Sequence, residues 1–214
     1  MKGYFKITKK AVIFLSVAVI AVFIGYTAIY FSNPSRSGKG IEAFLFKIKN
    51  APIEAFKTRV NSNDWKDFND NYRSYENIVT IRQVSSQGIF AILFGEGMGS
   101  RINLGRQIMT TDGTKVQYIP ILHNGFATVF LKSGLFGIFF LVLFLFLLAK
   151  HNKSDIPEVK SINLLLVGTS IFLIVSNWVF MGLYLKLDNK SVLIGLLVCC
   201  RELLIKQKLV QGND

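Results

Sequence analysis

The run GFATVFLKSGLFGIFFLVLFLFLLA, residues 125–149, carries one charge, Lys132. A helix crosses a bilayer on about 20 predominantly apolar residues, so this run restricts the chain to a membrane fold before anything else is considered. Residues 11–31 (AVIFLSVAVIAVFIGYTAIYF) and 162–185 are similar in length and character. A fourth stretch, 191–205, is shorter and includes Arg201 and Glu202. With 51% apolar residues and 18% charged ones, the chain is expected to be an all-α integral membrane protein. The first run is longer than a signal-peptide core and ends in Tyr30 and Phe31, aromatics suited to a membrane interface, so it reads as a retained helix.

Positive charge in short flanks sets orientation. Lys2, Lys6, Lys9 and Lys10 precede the first run, Lys150, Lys153 and Lys160 follow the second, and Arg201, Lys206 and Lys208 sit at the end. All three groups face the cytoplasm if the chain crosses four times. The expected layout is a cytoplasmic N-terminus at 1–10, helix 1 at 11–31, an extracytoplasmic functional loop at 32–122 and helix 2 at 123–149. A cytoplasmic loop at 150–161, helix 3 at 162–185, an outer turn at 186–190, a short helix 4 at 191–205 and a cytoplasmic tail at 206–214 complete it. Lys186 and Lys190 in the outer turn run mildly against this orientation. The net charge of +12 is spread along the chain rather than gathered on one face, which argues against nucleic acid and for anionic lipid or a phosphorylated lipid as partner.

The loop 32–122 is far too long for a passive connector and too rich in Phe, Tyr, Ile and Leu for disorder, so function is expected there. KGIEAFLFKIKN spaces Ile41, Phe44, Leu45 and Ile48 as one helical face beside Lys39, Lys47 and Lys49, which predicts an interfacial helix. SNDWKDFNDNYRSYENIVTIRQV predicts a second helix, capped within Ser62–Asp64, with Trp65, Phe68, Tyr72, Tyr75 and Val79 on one face. GIFAILF then leads into GEGMGS. Gly95, Gly97 and Gly99 form either a tight turn or a backbone cradle for phosphate, not a dinucleotide fingerprint.

Arg73, Arg82, Arg101 and Arg106 are the loop's candidate phosphate binders, because a guanidinium grips phosphate with two parallel donors. Arg73 and Arg82 are nine residues apart and point to opposite sides of a straight helix, while Glu76 shares a side with Arg73 and is its expected partner. His123, with Asn124 and Gly125 beside it, stands where the loop re-enters the membrane; His151 is read as incidental. Imidazole exchanges a proton near neutral pH, and Gly125 lets a ligand approach the backbone. Asp64, Asp67 and Asp70 read as a solvated face or a glycan contact. No spacing of Cys, His or carboxylates suggests a metal; the adjacent Cys199 and Cys200 read as helix-face residues or palmitoylation sites.

RSYEN (73–77), LFGEGMGS (93–100), ILHNGF (121–126) and KSGLFG (132–137), in this order, resemble the O-antigen polymerase and O-antigen ligase superfamily, particularly its capsule and exopolysaccharide polymerases. The resemblance covers about residues 60–205. It implies metal-independent, cofactor-free transfer of a glycan from undecaprenyl diphosphate to a hydroxyl of another lipid-linked glycan, at the outer face of the bacterial cytoplasmic membrane. By motif, His123 and Arg73 are the implied catalytic residues, with Arg82 as the second candidate for the family arginine. Asn124, Glu76, Gly97, Gly99 and Arg101 are the implied substrate contacts, Asn124 as the neighbour that orients His123. Family members have many more spans than four, so this chain corresponds to the C-terminal third of one: a truncated frame, one part of a split protein, or a reduced form. Its expected partners are the lipid-linked glycan, membrane lipid, and other polysaccharide-assembly proteins or a separate N-terminal half. Two rival readings are a transporter component using Asn177, Gly168 and Lys132, and a non-catalytic scaffold in which His123 and Arg73 are replaceable.

Overall fold

The computed structural model describes residues 9–110, 112–150, 154, 156–179 and 189–211. His151, Lys153 and most of the expected outer turn lie outside them, as do Lys2 and Lys6. The chain divides into two units, Met1–Lys57 and Thr58–Asp214.

The first unit holds α1 (Lys9–Ser32) and α2 (Ile41–Phe56). Phe14, Val17, Val22, Phe23 and Phe31 of α1 are all exposed, an apolar surface with no polar side. The Tyr26 hydroxyl donates to the Lys49 carbonyl at 3.1 Å, and Lys49 Nζ donates to Asn33 Oδ1 at 2.6 Å while lying 5.1 Å above the Tyr30 ring. A helix stands where KGIEAFLFKIKN predicts one, as α2, longer than its motif and carrying Pro52 inside.

The second unit begins with α3 (Trp65–Asp70) and α4 (Tyr72–Ser86). One helix was expected here; Asn71, at φ −127°, divides it. Its Nδ2 donates to the carbonyl and to Oδ1 of Asp67, both at 2.9 Å, adding to its backbone N–H, which donates to the same carbonyl at 3.1 Å where the helix turns. Asp64 caps α3 as expected, accepting the Lys66 N–H at 2.8 Å. α5 (Ile89–Phe94) follows, then β1 (Ile102–Met109) and β2 (Lys115–Ile119).

The two strands correct the all-α expectation: they form an antiparallel hairpin, pairing Ile102 with Ile119 and Met109 with Lys115. The ladder slips between Asn103 and Ile108, where Gly105 takes φ +69°. Thr110 and Thr114 close the tip around Asp112 and Gly113, with the Thr110 N–H donating to the Thr114 carbonyl at 2.9 Å. The Thr110 and Thr114 hydroxyls bond to Asp112 and hold its carboxyl below the usual range.

Three long helices end the chain: α6 (Gly125–Ala149), α7 (Pro157–Val179) and α8 (Asn189–Gln211). α6 and α7 are long and apolar enough to cross a membrane, and only 28% and 33% of their most apolar windows are buried. A soluble core helix would hide that surface; here Phe139, Phe146, Leu164 and Phe172 are exposed. Leu141, Leu145, Leu148, Leu166, Leu173 and Ile194 pack the three helices together. The Ser170 hydroxyl crosses from α7 to the Leu145 carbonyl at 2.8 Å. α8 contributes Arg201, buried, whose Nη1 lies 3.4 Å from the Lys150 carbonyl and 3.5 Å from Asn163 Oδ1. A cation there meets the negative end of the α6 dipole. A second core of Val84, Ala91, Ile102, Leu104, Leu122 and Leu131 fastens α4, α5 and β1 to the start of α6.

Candidate functional site

α6 is broken inside, at Gly134 (φ 61°, ψ −154°). The break leaves carbonyls without their helical donors, and the glycine turn supplies them: the Glu96 N–H donates to Leu131 O at 2.9 Å and the Gly97 N–H to Lys132 O at 3.2 Å. A methyl group on Gly95 would collide with the backbone at Lys132–Gly134, and one on Gly134 with the backbone of Leu93 and Gly95. Lys132 Nζ bonds the Ser100 carbonyl across the same joint. Of the two readings of GEGMGS the structure therefore fits the tight turn: two of the N–H groups that would cradle a phosphate are already engaged in joining loop to helix. Gly99 stands in open space with no positive φ, and Arg101 is exposed nearby.

Gln83 of α4 locks this joint from the other side. Its Nε2 donates to Glu96 Oε2 at 2.8 Å and to the Arg101 carbonyl at 3.0 Å, and its Oε1 accepts the Asn103 N–H at 3.0 Å. The Tyr75 hydroxyl donates to the Leu104 carbonyl at 2.6 Å, within the β1 slip. α4 is thereby held at a fixed distance from α6. Tyr75 stands on the aromatic face that the sequence predicts, whereas a surface Gln such as Gln83 announces nothing without its partners.

Held in this way, α4 presents Glu76 to the entrance of α6. Glu76 is 1% exposed, yet its carboxylate has well-placed donors. Oε2 accepts the backbone N–H of His123 at 3.0 Å, and both oxygens lie 3.0 Å from His123 Nδ1. The Tyr72 hydroxyl bonds the same carboxylate, and burial, reinforced by the Glu76 charge, raises that phenol well above its ordinary range. The Tyr72 ring meets the imidazole edge-on at 5.7 Å. The His123 side chain itself is 45% exposed. A carboxylate at Nδ1 fixes the ring's orientation and the Nδ1–H tautomer, so Nε2 is the nitrogen that can accept a proton.

Asn124 differs from expectation. It is buried, and its Oδ1 accepts the Ala127 N–H at 3.1 Å as the N-cap of α6. Thr128 completes the cap, accepting from the Leu122 N–H at 3.2 Å and donating to the Asn124 carbonyl at 3.0 Å. Asn124 fixes where the helix starts; Glu76, not Asn124, orients His123. Gly125 admits a neighbour rather than a ligand, because a Cβ there would strike Asn177 Oδ1 of α7. Asn177 is fully buried, with Nδ2 donating to Leu173 O at 2.8 Å.

α4 runs unbroken from Tyr72 to Ser86, so Arg73 and Arg82 face opposite sides. Glu76 is three residues from Arg73 and shares its side, which puts Arg73 on the half of the helix that carries the His123 contact. Arg82 is exposed on the other half. Glu76, expected as a partner of Arg73, has His123 and Tyr72 on its carboxylate. Arg106, within the β1 slip, lies over the Trp65 and Phe68 rings at 5.2 and 4.5 Å and donates to the Ser62 carbonyl at 2.7 Å. The described residues contain no group of three or more His, Cys, Asp or Glu side chains able to hold a metal.

Comparison of the chain with protein-family models, with curated proteins and with solved structures finds no match.

Proposed function

We propose that this chain polymerises or ligates undecaprenyl-diphosphate-linked glycan at the outer face of the bacterial cytoplasmic membrane, as a metal-independent glycosyltransferase or the C-terminal portion of one. The observation that carries the reading is His123 held by the buried Glu76 carboxylate at the mouth of an apolar helix. A half-exposed imidazole with a fixed tautomer is the group that general-base chemistry needs. In the proposed step the acceptor hydroxyl oxygen attacks the anomeric carbon, its proton passes to His123 Nε2, and the bond to the lipid diphosphate breaks. Arg73 sits on the side of α4 where the departing diphosphate's charge would be neutralised. The imidazolium formed is stabilised by Glu76 beneath it, as an adjacent carboxylate stabilises any developing positive charge.

The topology proposed with this function has four crossings, by α1, α6, α7 and α8, with 32–122 outside. The flanking Lys and Arg residues support it. So does the Arg201 contact, which gives the charge in a short span a carbonyl partner at the α6 terminus. Other polysaccharide-assembly proteins belong to the proposed setting as partners. The test is complementation of a strain lacking the native gene, with His123→Ala and Arg73→Ala made separately at matched membrane levels. Loss of the glycan chain-length ladder in both supports the proposal; a full ladder from both overturns it.

A further inference from the structure

We propose that the exposed face of Trp65 is a subsite for a sugar ring of the acceptor glycan, several units from the reacting hydroxyl; this rests on the glycosyl-transfer reading of His123. Trp65 opens α3 and is 58% exposed, whereas Phe68 behind it is 1% exposed. The indole is not loose. It stacks on Phe68 at 6.2 Å and 26° between planes, and Arg106 lies against both rings while bonding to Ser62. The Asp67 carboxylate accepts the Asn61 N–H at 2.7 Å and pins the loop beneath. A large aromatic side chain fixed in place with its outer face in water satisfies no core contact on that face. Such a face is ordered in advance for a ligand and loses little freedom on binding.

The surroundings select the ligand. A pyranose offers an apolar C–H face rimmed by hydroxyls, and Trp65 offers an exposed apolar ring with the Arg106 guanidinium, a donor, 5.2 Å from its centroid. Within 64–70 the carboxylates of Asp64, Asp67 and Asp70 outnumber the one cation, Lys66, which disfavours an anionic lipid surface as the partner of the indole. The ring row continues inward: Phe68 meets Tyr72 at 5.4 Å, and Tyr72 meets His123 at 5.7 Å. Phe68 is buried, so the row is packing and not a path for the ligand, but its steps of 6.2, 5.4 and 5.7 Å place His123 within reach of a short oligosaccharide that starts at Trp65.

The chain has two tryptophans, so Trp178→Phe leaves Trp65 as the sole indole reporter in the full-length protein. Titration in nanodiscs with the lipid-free oligosaccharide repeat released from the host's polymer is expected to give a saturable change in Trp65 emission. Trp65→Ala is expected to raise KM for the acceptor about tenfold with kcat within about twofold, the size of one aromatic contact, and Trp65→Phe to recover most of it. An emission change produced by sugar-free anionic vesicles alone, no response to the oligosaccharide, or an unchanged KM in Trp65→Ala overturns the subsite. His123→Ala separates the two proposals. It is expected to lose turnover and keep the emission response; normal turnover there sinks the glycosyl-transfer reading instead.

Discussion

The Glu76 carboxylate contacts His123 twice, through the backbone N–H and through Nδ1, each at 3.0 Å. The double contact ties the position of the imidazole to the register of α4 against α6. It gives Glu76→Gln a definite expected outcome. The amide keeps the shape but cannot stabilise an imidazolium, so kcat should fall roughly tenfold to a hundredfold, a part of what a positioned base supplies, with acceptor KM little changed. Steady-state kinetics on membranes containing the variant check this.

Tyr72 predicts a pH dependence. The folded state raises its phenol above the ordinary value of 10.0, so above about pH 10 the unfolded chain gives up this proton while the folded chain keeps it. The unfolded state then binds fewer protons, and stability falls as pH rises. Below pH 10 this contribution is constant. Thermal melts between pH 8 and 11 should show the decline, and Tyr72→Phe should flatten it.

The joint between the glycine turn and the α6 break predicts a sharp contrast among glycines. Gly134→Ala sets a Cβ against the Leu93 backbone at a positive φ and should cost about 3 kcal/mol or more. Gly99→Ala, in open space without a positive φ, should stay within about 0.5 kcal/mol of wild type. Melting temperatures of the detergent-solubilised variants measure the difference.

Arg201→Ala removes the buried cation facing the α6 terminus and leaves Asn163 Oδ1 without that donor. A loss of about 1–3 kcal/mol is expected, appearing as earlier proteolysis of the C-terminal tail. Arg201→Lys should recover part of it, keeping the charge but not the planar fork.

Much of this was legible in residue pattern. Long apolar runs marked the late helices, aromatic spacing marked α3 and α4, and Asp64 was readable as a cap. The hairpin was missed although Asp112-Gly113 stands between segments of strand character, a recognised turn signal. The Glu76–His123 contact was out of reach, because it joins residues 47 apart in sequence whose elements are brought together by the Gln83 and Gly95–Gly134 contacts and by the core around Val84, Leu122 and Leu131. Asn124 shows the opposite error: a polar residue beside a histidine invited a chemical role, and the backbone needed it as a cap.

The central claim is that His123, held by Glu76, carries the proton in glycosyl transfer. Its most direct test is the rate of lipid diphosphate release from undecaprenyl-diphosphate-linked glycan, in membranes of the gene-deleted strain complemented with wild type or His123→Ala. A fall of about a hundredfold or more at equal protein level is predicted. A rate within twofold of wild type would contradict the account.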